Sequence, residues 1–352
     1  MTYLKINQIT AIKGKIMTLL NKLGLDPDER MLKTLEENPE YINRLASLFK
    51  RLKKCNIKLD DTLHDVIASN VSYAGDLNNL LDFMQSEGID VTLFPLELLF
   101  ASARSDTTLM GMQQLKTRDA LDLPTLNLLL AYPEHSLLLA YLIINFQQHA
   151  YLTEKIVEKL HKFSAKNMDT VIRLLTLLLN NNLYYFECFD ILLRQQDYID
   201  KIYEGTAKLT TKNKLAASYF SVIENNPKNA NVFANLILLL HNASLIDYRK
   251  TEDLLTVSKL GIGAFHFLTH LQQAGMLDSE NYKKVCRDTS ILTQKTVMEL
   301  FSNLPLFETF DKVELEKMLR LMSEEPRTES PLGEFIEMIE KHQLIKKPGF
   351  KQ

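Results

Sequence analysis

The stretch Lys22-Leu-Gly-Leu-Asp-Pro-Asp28 decides the fold, because its pattern returns along the chain. Taking Leu25 as an anchor, comparable apolar positions follow at Ile57, Ile89, Leu121, Leu152, Leu183, Leu215, Leu245 and Leu277. The gaps are 32, 32, 32, 31, 31, 32, 30 and 32 residues. Self-similarity at a fixed period of this size marks a repeat architecture.

The residues ahead of each anchor show what repeats. Six before stand Leu19, Arg51, Phe83, Leu115, Phe146, Leu177, Leu209, Leu239 and Leu271, apolar except for Arg51. Nine before, only Thr206 is polar, and twelve before, only Lys13. Apolar positions three apart, joined by neighbours at four, define one face of an α-helix. Just before the anchor stand Gly24, Asn56, Gly88 and Asn182, residues that tolerate the left-handed end of a helix. A second helix then begins, with Asp26-Pro27, Asp60-Asp61, Leu123-Pro124, Thr153-Glu154 and Asp278-Ser279 as N-cap or first-turn residues. Each unit therefore reads helix A, tight turn, helix B, tight turn. One hairpin cannot bury its own apolar face, so neighbours must stack. The expected fold is all-α, an α-solenoid of about nine to ten helix–turn–helix repeats over residues 1–322, with a weaker tenth copy at Leu306.

Composition agrees. Apolar residues make up 46% and charged residues 24% of 352, the balance of a folded chain, and the low Gly 11 and Pro 10 favour helices. Net charge is −3, so no global field draws the chain to nucleic acid. Three distant cysteines, Cys55, Cys188 and Cys286, are neither a disulfide framework nor a zinc site. The stretch from Leu126 to Phe146 is interrupted by Asn127, Pro133, Glu134 and His135 and reads as two buried helices joined by a turn. The first residues carry lysines and broken hydrophobicity, unlike a cleavable signal peptide. Gly205, Thr206 and the polar run Thr210 to Lys214 interrupt the pattern, which reads as a hinge, a change of superhelical path or merely a poor repeat, and 200–216 is expected to be the most mobile internal segment. An acidic linker at 323–331 precedes an amphipathic capping helix from Leu332 to Leu344 and a flexible tail within 332–352.

The segment Leu271-Gln-Gln-Ala-Gly-Met-Leu-Asp-Ser-Glu-Asn-Tyr282 resembles a degenerate helical repeat of effectors delivered by Dot/Icm-type IV secretion, with looser copies at Leu52 to Asp61 and Phe146 to Glu154. The resemblance implies a bacterial protein, made in the bacterial cytoplasm and exported to the host-cell cytosol, that acts through protein–protein contacts.

Chemistry is sparse. His266 and His270 are four apart, but Phe267 stands where a zincin motif needs glutamate, and no third ligand is near; they read as surface or groove histidines. Cys188 lies in an apolar helix B and reads as a structural thiol. No catalytic residue, cofactor motif or metal site is expected. Lys50, Arg51, Lys53 and Lys54 end one helix A, while Lys155, Lys159, Lys162 and Lys166 recur at three or four along one helical face. The polar side of helix A carries Gln114, Asn145, Gln148, Asn180, His241, Asn242, His270 and Gln273 at repeat spacing. Neutral donors and acceptors stacked in this way suit the backbone of an extended peptide held in a concave groove. The expected function is a non-enzymatic protein-binding scaffold with a host protein as partner. The alternatives are an enzyme with a site hidden in the groove, or an adaptor drawn to anionic membrane by the lysine stripe. The sequence names no oligomeric state.

Overall fold

The structure, a computed structural model, describes residues 2–184, 187–247, 249–286, 301–302 and 310–323. The expected tenth copy at Leu306, the acidic linker after Ser323 and the capping helix with its tail lie outside the described residues. The chain divides into two compact units, 1–172 and 173–352.

The first unit alternates long and short helices: α1 (Thr2–Leu23), α2 (Glu29–Glu37), α3 (Ile42–Lys54), α4 (Asp61–Ser69), α5 (Ala74–Ser86), α6 (Leu96–Ala103), α7 (Asp106–Thr117), α8 (Leu123–Ala131), α9 (Ser136–Gln148) and α10 (Glu154–Leu160). Helix α11 (Met168–Asn180) carries the boundary. The second unit continues with α12 (Cys188–Arg194), α13 (Ile199–Thr211), α14 (Ala217–Asn225), α15 (Ala230–Asn242), α16 (Thr251–Lys259), α17 (Ile262–Gln273), α18 (Ser279–Val285) and α19 (Lys312–Ser323). Odd-numbered helices up to α17 are the A helices and even-numbered ones the B helices. In the first unit each A helix packs on the next A helix and each B helix on the next B helix; the second unit repeats this at α13, α15 and α17 and at α14 and α16. The fold is all-α and solenoid-like.

The turn after helix A is the repeated element. Its residue has positive φ at Gly24, Asn56, Gly88, Asp119, Ala150, Asn182, Asn213, Ser244 and Gly275, spaced 31 or 32 apart. The next residue's N–H donates to a carbonyl five residues back: Leu25 to Leu20, Ile57 to Leu52, Ile89 to Met84, Ala120 to Leu115, Tyr151 to Phe146, Leu183 to Leu178, Lys214 to Leu209, Leu245 to Leu240 and Met276 to Leu271, all at 2.7–3.0 Å. This is the Schellman closure, which satisfies carbonyls that a helix end leaves open. The nine acceptor residues are all fully buried, at 0% exposure.

These bonds correct four anchors by one residue: 121 becomes Ala120, 152 becomes Tyr151, 215 becomes Lys214 and 277 becomes Met276. They also remove two apparent exceptions. Arg51 is no core residue, because the core position is Leu52. Thr206 is a core position, fully buried, with its hydroxyl donating to the Ile202 carbonyl at 2.7 Å.

The segment 200–216 therefore holds no break in helix A. Helix α13 runs through it to Thr211 and ends in the common closure. Gly205 is required by packing: a Cβ there would stand 2.8 Å from the Ala230 carbonyl oxygen. Gly111 occupies the same repeat position in the first unit, where a Cβ would stand 2.8 Å from the Ser136 oxygen. Each glycine lets the start of the next A helix press against its backbone.

The B helices start where aspartates cap them. Asp28, Asp60, Asp122 and Asp278 accept from the N–H of Met31, Leu63, Thr125 and Asn281 at 2.7–2.9 Å. The first cap is Asp28 and not Asp26, and Thr153 makes no side-chain cap bond. The apolar stretch Leu126 to Phe146 falls in α8 and α9, bent by 107°, and no single described helix is long and apolar enough to cross a membrane.

Gly205→Ala is expected to destabilise the protein by about 2 kcal/mol, the cost of overpacking a tight contact. Ala150→Gly should stabilise it by about 1 kcal/mol, because an L-residue there carries left-handed strain. Denaturant unfolding of both variants checks this; an unchanged midpoint for Gly205→Ala would contradict the packing argument.

Candidate interaction surface

Counted back from the closure amide, residues at three, six and ten before it share the outward stripe of helix A, since spacings of four and three keep one helical face. Gln148, Asn180, Asn242 and Gln273 stand three before, and all four are exposed. Gln114 and Asn145 stand six before and are half-buried. The first unit thus brings Gln114 on α7 beside Asn145 and Gln148 on α9, its packing neighbour. In the second unit Asn242 on α15 and Gln273 on α17 share neighbouring helices.

Two expected residues sit elsewhere. His241 stands four before the closure, with its Nδ1 3.0 Å from the Tyr219 hydroxyl, so one ring nitrogen is occupied within the fold. His270 is buried to 3% exposure between Phe301 and Phe310, with ring centroids 5.7 and 5.6 Å away. It is therefore no open donor on a groove. Its Nε2 is buried without a hydrogen-bond partner. Burial, and then the neighbouring His266, hold its imidazole below the ordinary histidine range.

The position four before the closure serves a different purpose. Lys53 donates to the Gly24 carbonyl at 3.2 Å and Gln147 to the Arg118 carbonyl at 3.1 Å, and Lys116 pairs with Glu87 at 2.6 Å. Each reaches the turn of the preceding repeat. Arg51, two positions further back, donates to Gln85 at 2.9 Å and pairs with Asp82 at 2.5 Å. Much of the polarity of helix A in the first unit ties repeat to repeat.

Apolar exposure on the same stripe escaped the sequence reading. Met110 on α7 and Tyr141 on α9 both stand ten before their closures, and Leu138 stands three further back. They are 51%, 52% and 43% exposed. With Gln114, Asn145 and Gln148 they form a mixed surface across α7 and α9. The signal in the sequence was the 31-residue interval between Met110 and Tyr141, at an offset not scanned for repeats.

Compared with known proteins, the chain matches no family model, and no curated protein or solved structure matches it either.

Among the described residues, His241, Asp247, Arg249, Lys250 and Asp253 line one open pocket of about 420 Å³ in the second unit. No three His, Cys, Asp or Glu side chains stand together as metal ligands among the described residues. His266 places Nδ1 2.9 Å from the Phe301 carbonyl, and His270 packs against the ring of the same residue. Cys188 is fully buried, as expected of a structural thiol. Burial pushes the Cys55 thiol up and the Cys286 thiol up to about 11, which keeps both protonated and unreactive near neutral pH. The lysine stripe is not one helical face: α10 ends at Leu160, leaving Lys162 and Lys166 beyond it.

His270 yields a pH prediction. In the unfolded chain histidine binds a proton near about pH 6.5, and the folded site binds it only at lower pH. Stability is therefore complete above about 6.5, falls as pH drops below it, and levels off once the folded value is passed. The unfolding midpoint should fall from about pH 7 to about pH 5, and His270→Leu should shrink that fall. An identical pH dependence in the variant would count against this account of His270.

Proposed function

We propose that the protein is a non-enzymatic binding scaffold whose partner docks on the A-helix face of α7 and α9. The observation that carries this reading is the exposure of Met110, Leu138 and Tyr141 on the same stripe as Gln114, Asn145 and Gln148. Aromatic and methionine side chains, mixed with neutral polar groups and free of charge, are the composition of interface cores. Met adapts to irregular surfaces, and Tyr offers a large contact area at little entropy cost. The stripe carries no lysine at these positions, which favours a polypeptide partner over an anionic membrane.

The resemblance of Leu271 to Tyr282 to Dot/Icm effector repeats supports a secreted bacterial effector acting on a host protein. The alternating A and B helices fit that role, since stacked repeats offer extended surfaces built from the same residue positions.

The test uses the full chain and a variant with Leu138→Ser and Tyr141→Ser. Both side chains are exposed, so the unfolding midpoint should be unchanged. Affinity capture from host-cell lysate should recover a partner with the wild type, and the variant should bind it at least about tenfold more weakly, as truncation of interface anchors does. If the captured proteins and their affinities are the same for both, the surface is not where the partner binds.

A further inference from the structure

A second surface lies in the B layer of the first unit, apart from the α7 and α9 stripe. Between α4 and α6 is an open groove of about 430 Å³, lined by Thr62, Asp65, Val66, Ser69 and Asn70 from one side and Glu97, Phe100, Ala101 and Arg104 from the other. The preceding groove, between α2 and α4, is bridged by a side chain of the protein itself. Arg30 places its Nε 3.2 Å from an Asp61 carboxylate oxygen, and its Nη1 3.2 Å from the Asp61 carbonyl and 3.4 Å from the Asp65 carboxylate.

Moving one repeat forward by 32 residues takes Arg30 to Thr62, Asp65 to Glu97 and Asp61 to Leu93. One of the two carboxylates is retained, and the other is lost together with the cation. Thr62 is too short to reach Glu97, so the groove stays open. No ion pair joins Glu97 to a described residue.

The far end of the groove is positive and fixed. Arg104 donates from Nε and Nη2 to the Asn70 side-chain oxygen, and its guanidinium lies 5.8 Å from the Tyr73 ring centre. Asn70 is itself held by the Val66 carbonyl at 2.8 Å. A cation is thus repelled from one end and drawn to the other, where Glu97 stands and where Asp65, already paired with Arg30, lies across the groove. Val66, Phe100 and Ala101 give the floor an apolar character suited to the methylene stem of a long side chain.

We propose that this groove binds a basic side chain, an arginine in particular, of a partner polypeptide. Its guanidinium pairs with Glu97 as Arg30 pairs with Asp65 one repeat earlier, and its stem lies along Phe100 and Ala101. Arginine is favoured over lysine because the planar fork can take a carboxylate and a backbone carbonyl of one facing helix together, as Arg30 does on α4. This inference does not depend on the α7 and α9 surface.

The probe is N-acetyl-arginine-methylamide, titrated into the full-length protein with its Val66 and Ala101 methyl groups followed by NMR. Those resonances should shift saturably, and the neutral isostere N-acetyl-citrulline-methylamide should bind at least about tenfold more weakly, as expected when a charge-assisted contact is lost. Glu97→Gln, at an exposed position, should weaken the arginine probe by about the same factor. Thr62→Arg should rebuild the internal bridge, abolish probe binding and leave the protein folded. The proposal is overturned if Val66 and Ala101 do not respond, if citrulline binds as well as arginine, or if Glu97→Gln binds as the wild type does.

Discussion

Everything in this fold depends on how helix A ends. Nine times, a residue turns left-handed and the following N–H reaches back to the carbonyl five residues earlier. That bond sets which residue of helix A faces inward: the acceptor is always fully buried. It also aims the chain back along its own helix, so that helix B can start within a few residues. Glycine does this at three of the nine positions and Asn or Asp at four, residues that enter the left-handed region at low cost. Ala150 and Ser244 enter it against their preference. The closure is retained at those two sites although local propensity opposes it, and its acceptors Phe146 and Leu240 are fully buried there as elsewhere.

The same bond explains what the bare sequence shows and what it hides. The period is visible, because apolar residues recur at helical spacing through nine copies. The register is visible only to within one residue. Apolar neighbours at four blur the offset, and the left-handed residues Asp119, Asn213 and Ala150 do not stand out as Gly24 does. A one-residue slip rotates a helix by about 100°, enough to set Arg51 in a column of core residues, whereas Thr206 looks like a fault only because its side chain is polar. Gly205 read as a break because glycine weakens a helix interior. In space it is a contact point, shared with Gly111, where the next helix backbone lies too close for a side chain.

The candidate surface was half legible. The outward polar residues Gln114, Asn145 and Gln148 follow from helical geometry once the repeat is known. Met110, Leu138 and Tyr141 do not, because an apolar residue in a helical sequence is read as core until burial is measured. His270 errs in the other direction: a polar residue at a polar offset is covered by Phe301 and Phe310, more than thirty positions later. The groove beside Glu97 needed the comparison of one repeat with the next, where the presence of Arg30 gives meaning to the shortness of Thr62.

The most direct test of the repeat account is residue-resolved amide hydrogen exchange on the folded chain. The closure amides of Leu25, Ile57, Ile89, Ala120, Tyr151, Leu183, Lys214, Leu245 and Met276 should all be protected, although each lies just past a helix end where amides ordinarily exchange fast. Protection should therefore recur every 31 or 32 residues. Rapid exchange at most of these nine amides, beside protected helix interiors, would contradict the account.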